Sequence, residues 1–331
     1  MAVAGLGRIG KIHLDNICRN VAGVEVVAIM DILDGSLEIA KEYGISRVFK
    51  NFDEMIALEE IDALVICSPT NLHADHIIKA AHAGKHIFCE KPVDLSLDRV
   101  LEVIKVVEEC EVKLMLGFNR RFDPDFGRIR EMVMDDSVGD PQIIKITSRD
   151  PGPPPISYIK VSGGLFLDMT IHDFDMARYI SGKEIKEVYA AATVKVDREI
   201  GDAGDFDTAV VTLIFDDDSL AIIDNSRKAA YGYDQRLEVF GSKGMACADN
   251  NFPNNHRLFT EKGLSGDSPL HFFLERYQES YLEEMKQFIE ALQSGNEMPV
   301  GAEDGLKSIV IGLAATKSSR EKRAVKITEI K

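Results

Sequence analysis

The chain has 331 residues, which is too long for one ordinary hydrophobic core and suits two domains. A composition of 45% hydrophobic and 28% charged residues excludes a disordered chain, and its apolar runs are too short to span a bilayer. Because the formal net charge is −16 and no basic stripe offsets it, neither nucleic acid nor an anionic membrane surface is an expected partner.

The first 31 residues have the pattern of half a dinucleotide site. A short apolar strand, Met1 to Ala4, precedes a turn from Gly5 to Gly10, which is followed by a helix and a second strand, Val24 to Met30. The glycines suit a tight turn, a close approach to a pyrophosphate and close helix packing, and the helix N-terminus offers N–H groups to phosphates. A turn without a ligand is the alternative, but the strand, the helix and the later acid together favour a cofactor. The residues predicted to bind it here are Gly5, Gly7, Arg8, Ile9, Gly10 and Asp31.

Asp31 also indicates which cofactor is bound. Its carboxylate would accept hydrogen bonds from the adenosine ribose and would repel a 2′-phosphate. The next residues, Ile32 and Leu33, supply no cation for such a phosphate. The sequence therefore predicts NAD rather than NADP.

From the N-terminus to about Gly117, short apolar runs alternate with helical patterns, which is typical of a doubly wound parallel sheet. Further strands are predicted at Ala63 to Cys67, His86 to Cys89 and Lys113 to Gly117. Ser68 to His73 and Glu90 to Pro92 follow two of these strands at their carboxyl ends, where open α/β sheets bind ligands. We predict a Rossmann domain over residues 1–118.

Beyond Gln142 the strands become longer and several are joined by turns, which predicts an α+β domain with a large, mostly antiparallel open sheet over residues 119–331. Helices are expected to cover one face of this sheet, at Asp168 to Tyr179, Glu275 to Leu292 and Glu303 to Ser319. The other face carries alternating valines and isoleucines, so we predict a homo-oligomer paired through this sheet, with a tetramer as the expected size.

Five cysteines form neither a C-x-x-C pair nor an even framework, so we expect reduced and mostly buried thiols, and no metal site is predicted. Met1 begins the first strand directly and leaves no room for a signal sequence. These features predict a cytoplasmic protein.

Asp168 and His172 lie four residues apart. On a helix they would share one face, so the carboxylate could orient the imidazole for general-base catalysis. Taken alone, the pair is better explained by a helix N-cap at Asp168 and a buried core histidine at His172. Lys91 also has two interpretations. It is either a solvated surface charge or a cation that binds a reacting oxygen at the end of the strand.

Four segments carry a resemblance to a known family: GLGRIGKIH, CSPTNLHADH, FCEKP and GGLFLDMTIHDFDMARY. Together they resemble the glucose-fructose oxidoreductase, inositol dehydrogenase and rhizopine catabolism family, known as Gfo/Idh/MocA. Three others, GFNRRFDP, TSRDPGPPPISYIKVSGG and NSRKAAYGYDQRLEVFGSKG, are similar to the bacterial inositol 2-dehydrogenases within it. The resemblance covers essentially the whole chain, although Met1 starts closer to the glycine turn than is usual in the family.

The resemblance implies site residues by position. Lys91 matches the lysine of the family's EKP motif, and Asp168 and His172 match its aspartate and its proton-accepting histidine. The remaining residues are implied to surround a polyol (Arg121, Asp150 and Tyr231) or to lie beside the cofactor (Ser68, Asn71, His73 and Glu90). Without the resemblance, Arg121 would be interpreted as a surface ion pair, Tyr231 as a strand aromatic and Asp150 as a turn residue.

The resemblance therefore predicts an enzyme that uses NAD to oxidise a secondary alcohol of a cyclic polyol to a ketone, with myo-inositol as the expected substrate. A dehydrogenase for scyllo-inositol or a related sugar is the alternative within the family. A non-catalytic NAD-binding sensor on the same fold is a remote alternative from another class, since it would be expected to lose Lys91 or His172.

Overall fold

The computed structural model describes residues 1–331, and the bounds of its strands and helices follow in chain order. The strands are β1 Ala2–Ala4, β2 Ala28–Met30, β3 Arg47–Phe49, β4 Ala63–Ile66, β5 His86–Glu90, β6 Leu114–Gly117, β7 Pro141–Arg149, β8 Ile185–Thr193, β9 Thr208–Phe215, β10 Leu220–Ser226, β11 Asp234–Gly241, β12 Met245–Ala248, β13 Leu258–Thr260, β14 Gly263–Ser265 and β15 Val325–Lys326. The α-helices are α1 Arg8–Asn20, α2 Ser36–Glu42, α3 Phe52–Ile56, α4 His73–His82, α5 Leu97–Glu109, α6 Pro124–Met134, α7 Ile156–Ile159, α8 Gly164–Asp168, α9 Ile171–Ser181, α10 Arg198–Asp202, α11 Phe273–Arg276, α12 Gln278–Ser294 and α13 Ala302–Glu321.

The chain forms two compact units, each built from two stretches of sequence. The first unit comprises Met1–Phe122 and Glu279–Ile309, and the second comprises Asp123–Gln278 and Val310–Lys331.

The first unit contains a six-stranded parallel sheet in the order β3-β2-β1-β4-β5-β6. The residues of β1, β2, β4 and β6 are all buried, as expected for strands covered on both faces. The order reverses between β1 and β4, which confirms the predicted doubly wound sheet and places the switch point beside the glycine turn. The short strand β3 has no clear apolar run, and the sequence analysis did not assign its position.

The segment Glu279–Ile309 corrects the expectation that α12 covers the second sheet. The Phe288 ring packs edge-on against Phe88 of β5, with ring centroids 5.7 Å apart. In addition, the Leu116 N–H donates to the Val300 carbonyl at 3.1 Å. The amphipathic pattern of α12 predicted a buried face correctly, but periodicity alone does not say which sheet that face will meet.

The second unit contains a seven-stranded sheet in the order β12-β11-β7-β10-β9-β8-β15. All neighbouring strands are antiparallel except β7 and β10, which pair in parallel, and this confirms the mostly antiparallel sheet. Along β9 and β10 buried residues alternate with more exposed ones, so only one face is fully covered. Helix α9 packs against β7 on the covered face.

The less covered face of this sheet carries a row of large apolar side chains. Between 37% and 55% of each is exposed: Ile143, Tyr189, Val210, Leu220, Ile222, Phe240 and Met245.

The cysteine expectation is partly wrong. All five are free thiols, but only Cys89 is buried, while Cys18 and Cys247 are exposed. None of the helices has both the length and the apolar character needed to cross a membrane.

Candidate active site

The glycine turn joins β1 to α1 with the geometry that its residue types require. Gly5 has φ +91°, and a Cβ there would lie 2.5 Å from the Cys67 carbonyl oxygen. A Cβ on Gly10 would lie 1.9 Å from the Gly5 carbonyl oxygen. Gly7 differs, because no atom lies within 4 Å of the position that a Cβ would occupy. It directly precedes α1, and no side chain caps the N-terminus of that helix. The uncapped N–H groups and the open space fit a pyrophosphate.

Asp31 follows β2, and its side chain is hydrogen-bonded to two backbone N–H groups. Its carboxylate accepts from the Leu6 N–H at 2.5 Å and from the Leu33 N–H at 2.7 Å. A carboxylate has further lone pairs to offer a ribose, so its predicted role stays open. Lys50 lies nearby, with its ammonium 3.2 Å from the Ile32 carbonyl oxygen. This cation could not be expected from the sequence, because Lys50 directly follows β3, a strand with no clear apolar run.

The first turn of α4, directly after the loop that follows β4, contains a pair of buried histidines, His73 and His76. The His73 ring contacts two backbone carbonyl oxygens, those of Ser68 and Pro92, each at 2.7 Å. The His76 ring stacks on Phe52 with centroids 3.9 Å apart, and burial, aided by His73 and Lys79, lowers the pKa of His76 to about 4. His76 is therefore neutral near pH 7, and the Ser68 hydroxyl can donate to its Nδ1 at 3.0 Å. Asn71, in the 3₁₀ turn before α4, is exposed.

Lys91 directly follows β5, the strand next to β4, and is half-buried. Its neighbour Glu90 is hydrogen-bonded to His13 Nε2 at 2.8 Å. The fully buried Glu284 of α12 lies 3.8 Å from the same nitrogen. Burial and the Glu90 charge raise the pKa of Glu284 well above its usual range. The absence of a metal site remains a prediction, since these three side chains place one potential ligand atom each within 4.8 Å.

Arg121, predicted to contact the polyol, lies in the first unit and forms an ion pair with Asp304 of α13. Its guanidinium lies 2.8 Å from the Asp304 carboxylate, and 10% of its side chain is exposed. This pair orients the arginine, and its contact with a substrate stays a prediction.

In the second unit, Asp168 and His172 do not share one continuous helix. Asp168 is the last residue of α8, and His172 is the second residue of α9. Between them the Thr170 N–H bonds to the Leu165 carbonyl, five residues back, instead of continuing the α-helical pattern. The helical premise of the sequence analysis is therefore wrong, while the proposed cooperation of the two side chains remains a prediction.

Two side chains position the Asp168 carboxylate. The Tyr158 hydroxyl donates to one oxygen at 2.9 Å, and two nitrogens of Arg227 donate to the other at 3.3 Å. Arg227 is 1% exposed and also lies 3.8 Å from Asp205. Hydrogen bonds from a buried guanidinium fix the orientation of the Asp168 carboxylate.

Asn225 plays a similar part for the residues on either side of His172. Its amide accepts from the Thr170 hydroxyl at 2.7 Å and donates to the Asp173 carboxylate at 2.8 Å. Asn225 is 2% exposed and lies on β10. The first turn of α9, which carries His172, is thereby fixed to the sheet.

Tyr231 and Asp150 lie near the ends of β11 and β7. The Tyr231 hydroxyl donates to Asp234 at 2.5 Å and accepts from Arg149 at 3.1 Å. Burial and the bond to Asp234 raise the pKa of Tyr231. The Asp150 backbone bonds to Ser226 and Ala229, so its conformation is set by β10 and the turn after it. Their roles in substrate binding stay predictions.

Arg227 and Asn225 are the main positioning residues that the sequence analysis missed. A signal was present, because Ala221, Ile223 and Asn225 alternate along the buried side of β10, and Arg227, directly after the strand, continues this alternation. A polar residue in such a series has to find a buried partner. The pattern could not say that the partners would flank His172.

Known proteins are similar to this chain over its full length. Residues 1–118 match the family model described as an oxidoreductase family with an NAD-binding Rossmann fold, and residues 126–247 match the Gfo/Idh/MocA C-terminal domain. A myo-inositol 2-dehydrogenase of Thermotoga maritima is 50% identical, with 100% of this chain and 99% of that protein covered. An inositol 2-dehydrogenase of Rhizobium meliloti is 47% identical, with coverage of 98% and 97%.

A solved structure of scyllo-inositol dehydrogenase from Lactobacillus casei, with NAD(H) and scyllo-inositol bound, has a TM-score of 0.92. It is 32% identical to this chain, and the match covers 99% of this chain and 98% of the other.

Proposed function

Because the chain belongs to the Gfo/Idh/MocA family of NAD-binding oxidoreductases, we propose that it oxidises myo-inositol to 2-keto-myo-inositol with NAD as the hydride acceptor. The observation that carries this proposal is the 50% identity, over the full length of both chains, to the Thermotoga maritima myo-inositol 2-dehydrogenase. The 47% identity to a second inositol 2-dehydrogenase supports the same substrate class.

The proposed chemistry assigns one task to each side chain. His172 accepts the proton of the reacting hydroxyl, and the hydride leaves the same carbon, which becomes the ketone. NAD, when bound, supplies the acceptor for that hydride. Lys91 donates a hydrogen bond to the reacting oxygen and stabilises its developing negative charge. Asp168, held by Arg227 and Tyr158, stabilises the protonated imidazole until the proton passes to solvent.

The cofactor is held, in this proposal, by Gly5, Gly7, Arg8, Ile9, Gly10, Asp31, Ser68, Asn71, Glu90 and Lys91. Arg121, Asp150 and Tyr231 are assigned to the hydroxyls that do not react. A cyclic polyol carries hydroxyls all round its ring, so side chains that donate and accept hydrogen bonds suit it.

The proposal is tested by steady-state kinetics with myo-inositol, scyllo-inositol and glucose as substrates. The absorbance of NADH measures the rate of oxidation. We expect the highest catalytic efficiency with myo-inositol. A preference for scyllo-inositol would support the second candidate function, that of a scyllo-inositol dehydrogenase. The similarity to the Lactobacillus casei structure with bound scyllo-inositol favours this candidate, but at a lower identity than the similarity to the two inositol 2-dehydrogenases. NAD binding without turnover on any polyol or sugar would contradict both and favour a sensor.

We further propose that residues 1–118 bind the cofactor and residues 119–331 recognise the substrate and assemble the oligomer. The match of the NAD-binding family model to residues 1–118 supports the first assignment. The free thiols support a cytoplasmic location, because thiols persist in reducing compartments.

A homotetramer paired through the exposed sheet face completes the proposal. The row that includes Val210 and Ile222 is apolar and half-exposed, which is unusual for a face in contact with water. We expect light scattering to give a tetramer for the native chain and a smaller species for Ile222→Glu. A monomeric native protein would contradict this assembly.

A further inference from the structure

The His73 ring joins two loops of the first unit that carry predicted site residues. Strands β4 and β5 are parallel neighbours, with Ile66 paired to Cys89. Ser68 lies two residues after β4, and Pro92 lies two residues after β5. His73 Nε2 is 2.7 Å from the Ser68 carbonyl oxygen, and its Nδ1 is 2.7 Å from the Pro92 carbonyl oxygen. One ring therefore spans the gap between both strand ends.

Several features make this bridge rigid. His73 is 2% exposed and is the first residue of α4, so its backbone is fixed by the helix. The Ser68 side chain is held separately by His76, which is itself stacked on Phe52. Pro92 is also buried, and the residue immediately before it is Lys91. Movement of the Pro92 carbonyl would therefore move the backbone from which the lysine extends.

We propose that His73 is a positioning residue for Lys91: by bridging the Ser68 and Pro92 carbonyls, it sets where the lysine-bearing loop lies relative to its neighbour. The inference rests on the proposed function, in which Lys91 binds the reacting oxygen. It also replaces the expectation that His73 lies in the site as a cofactor contact, because both of its ring nitrogens face the protein backbone.

Histidine suits this position because its two nitrogens point in different directions. Carbonyl oxygens only accept, so a neutral ring donates to one of them and the protonated ring donates to both. Burial lowers the pKa of His73, while the two carbonyl bonds and Glu90 oppose that change and Lys91 adds to it. Side-chain amides can separate the two bonds. An Asn amide nitrogen occupies the place of Nδ1, and a Gln amide nitrogen occupies the place of Nε2.

The experiment compares His73→Leu, His73→Asn and His73→Gln in the full-length enzyme. His73→Leu removes both ring contacts with the carbonyls, and we expect kcat with myo-inositol to fall about 10-fold to 100-fold, the scale of a misplacement near 1 Å. His73→Asn can keep the bond to Pro92 and should retain kcat within a few fold. His73→Gln keeps only the bond to Ser68 and should resemble His73→Leu. The NAD dissociation constant should change less than threefold in each, and the exposed His82→Gln serves as the matched control on the same helix.

Combination with Lys91→Met distinguishes positioning from general damage. If His73 acts through the lysine, the three variants should have the same turnover once Lys91 is replaced, because the two sites act as a unit. Three results would overturn the inference. The first is an equal loss of kcat in the Asn and Gln variants, and the second is a loss of kcat that is fully additive with that of Lys91→Met. The third is a loss of kcat that follows a loss of NAD affinity. Near-normal turnover of Lys91→Met by itself would instead contradict the proposed role of the lysine. If His73→Leu does not fold, the Asn and Gln pair still decides the outcome.

Discussion

The glycine turn and the region around His172 are both short motifs, but their geometry has different origins. In the turn, backbone atoms contact backbone atoms, and the Gly10 position is closed by Gly5, only five residues earlier. Around His172 the helix is interrupted, and the neighbouring groups are held by Arg227 and Asn225 from a distant strand. The residue types of the turn can be predicted locally, because only glycine fits such backbone contacts, whereas the side-chain partners around His172 depend on how the whole unit packs.

The sharpest test of the His172 region is removal of the proposed base. His172→Ala should lower kcat about 10²-fold to 10⁴-fold, the usual contribution of a positioned general base, with NAD affinity nearly unchanged. Adding Asp168→Asn should cost little more, because members of one catalytic unit are non-additive. Stopped-flow and steady-state kinetics would measure both, with the exposed His256→Ala as control. Fully additive losses would argue that the two side chains act separately.

Arg227→Met tests whether distant partners control the same region. The substitution keeps much of the side-chain volume but leaves the Asp168 carboxylate without its buried cation. We expect the free energy of unfolding to fall by about 3 kcal/mol, as when one partner of a buried pair is removed. Arg227→Lys should recover part of the loss. Denaturant unfolding of the three proteins gives the answer, and an unchanged midpoint for Arg227→Met would show that Asp168 needs no such partner.

The buried His76 gives the cofactor-binding unit a pH dependence of its own. Its pKa is about 4 in the folded chain and 6.5 in the unfolded chain, so the unfolded state binds more protons between these values. Stability should therefore be complete above pH 6.5 and decrease as pH falls toward 4. We expect a loss of about 2 kcal/mol, which is less than the full pKa difference implies because nearby solvent screens the charge. His76→Asn should show a shallower decrease in chemical unfolding across this range, and an unchanged slope would contradict the assignment.

Two alanine substitutions separate the structural and binding parts of the glycine turn. Gly10→Ala places a methyl group against backbone and should destabilise the fold by about 1 to 3 kcal/mol. Gly7→Ala places it in open space, so unfolding should change by less than about 0.5 kcal/mol while NAD binding weakens. Thermal unfolding with and without NAD measures both effects. Equal destabilisation by the two variants would remove the distinction.

The smallest expected effect concerns cofactor choice. Asp31→Ser combined with Ile32→Arg removes a carboxylate and adds a cation, which should shift the ratio of catalytic efficiencies toward NADP by about tenfold or more. Lys50 contacts the Ile32 carbonyl and would lie close to an added phosphate, so Lys50→Met in that background should reverse part of the shift. An NADP preference in the native chain would overturn the assignment from Asp31.

The sequence by itself determined the doubly wound parallel sheet, the glycine turn and the mostly antiparallel second sheet. Each follows from local rules: continuous apolar runs, glycine geometry and the two-residue alternation of strands. The motif residues Lys91, Asp168 and His172 were also identifiable, because their spacing resembles a known family.

Only the tertiary structure decided which partners hold those residues. It placed the rings of α12 against β5, interrupted the helix between Asp168 and His172, and joined the loops after β4 and β5 through His73. These contacts connect residues far apart in the chain, or depend on ring nitrogens meeting particular carbonyls. Hydrophobic periodicity states that a face will be buried, but the identity of the opposing surface depends on how all the elements pack together.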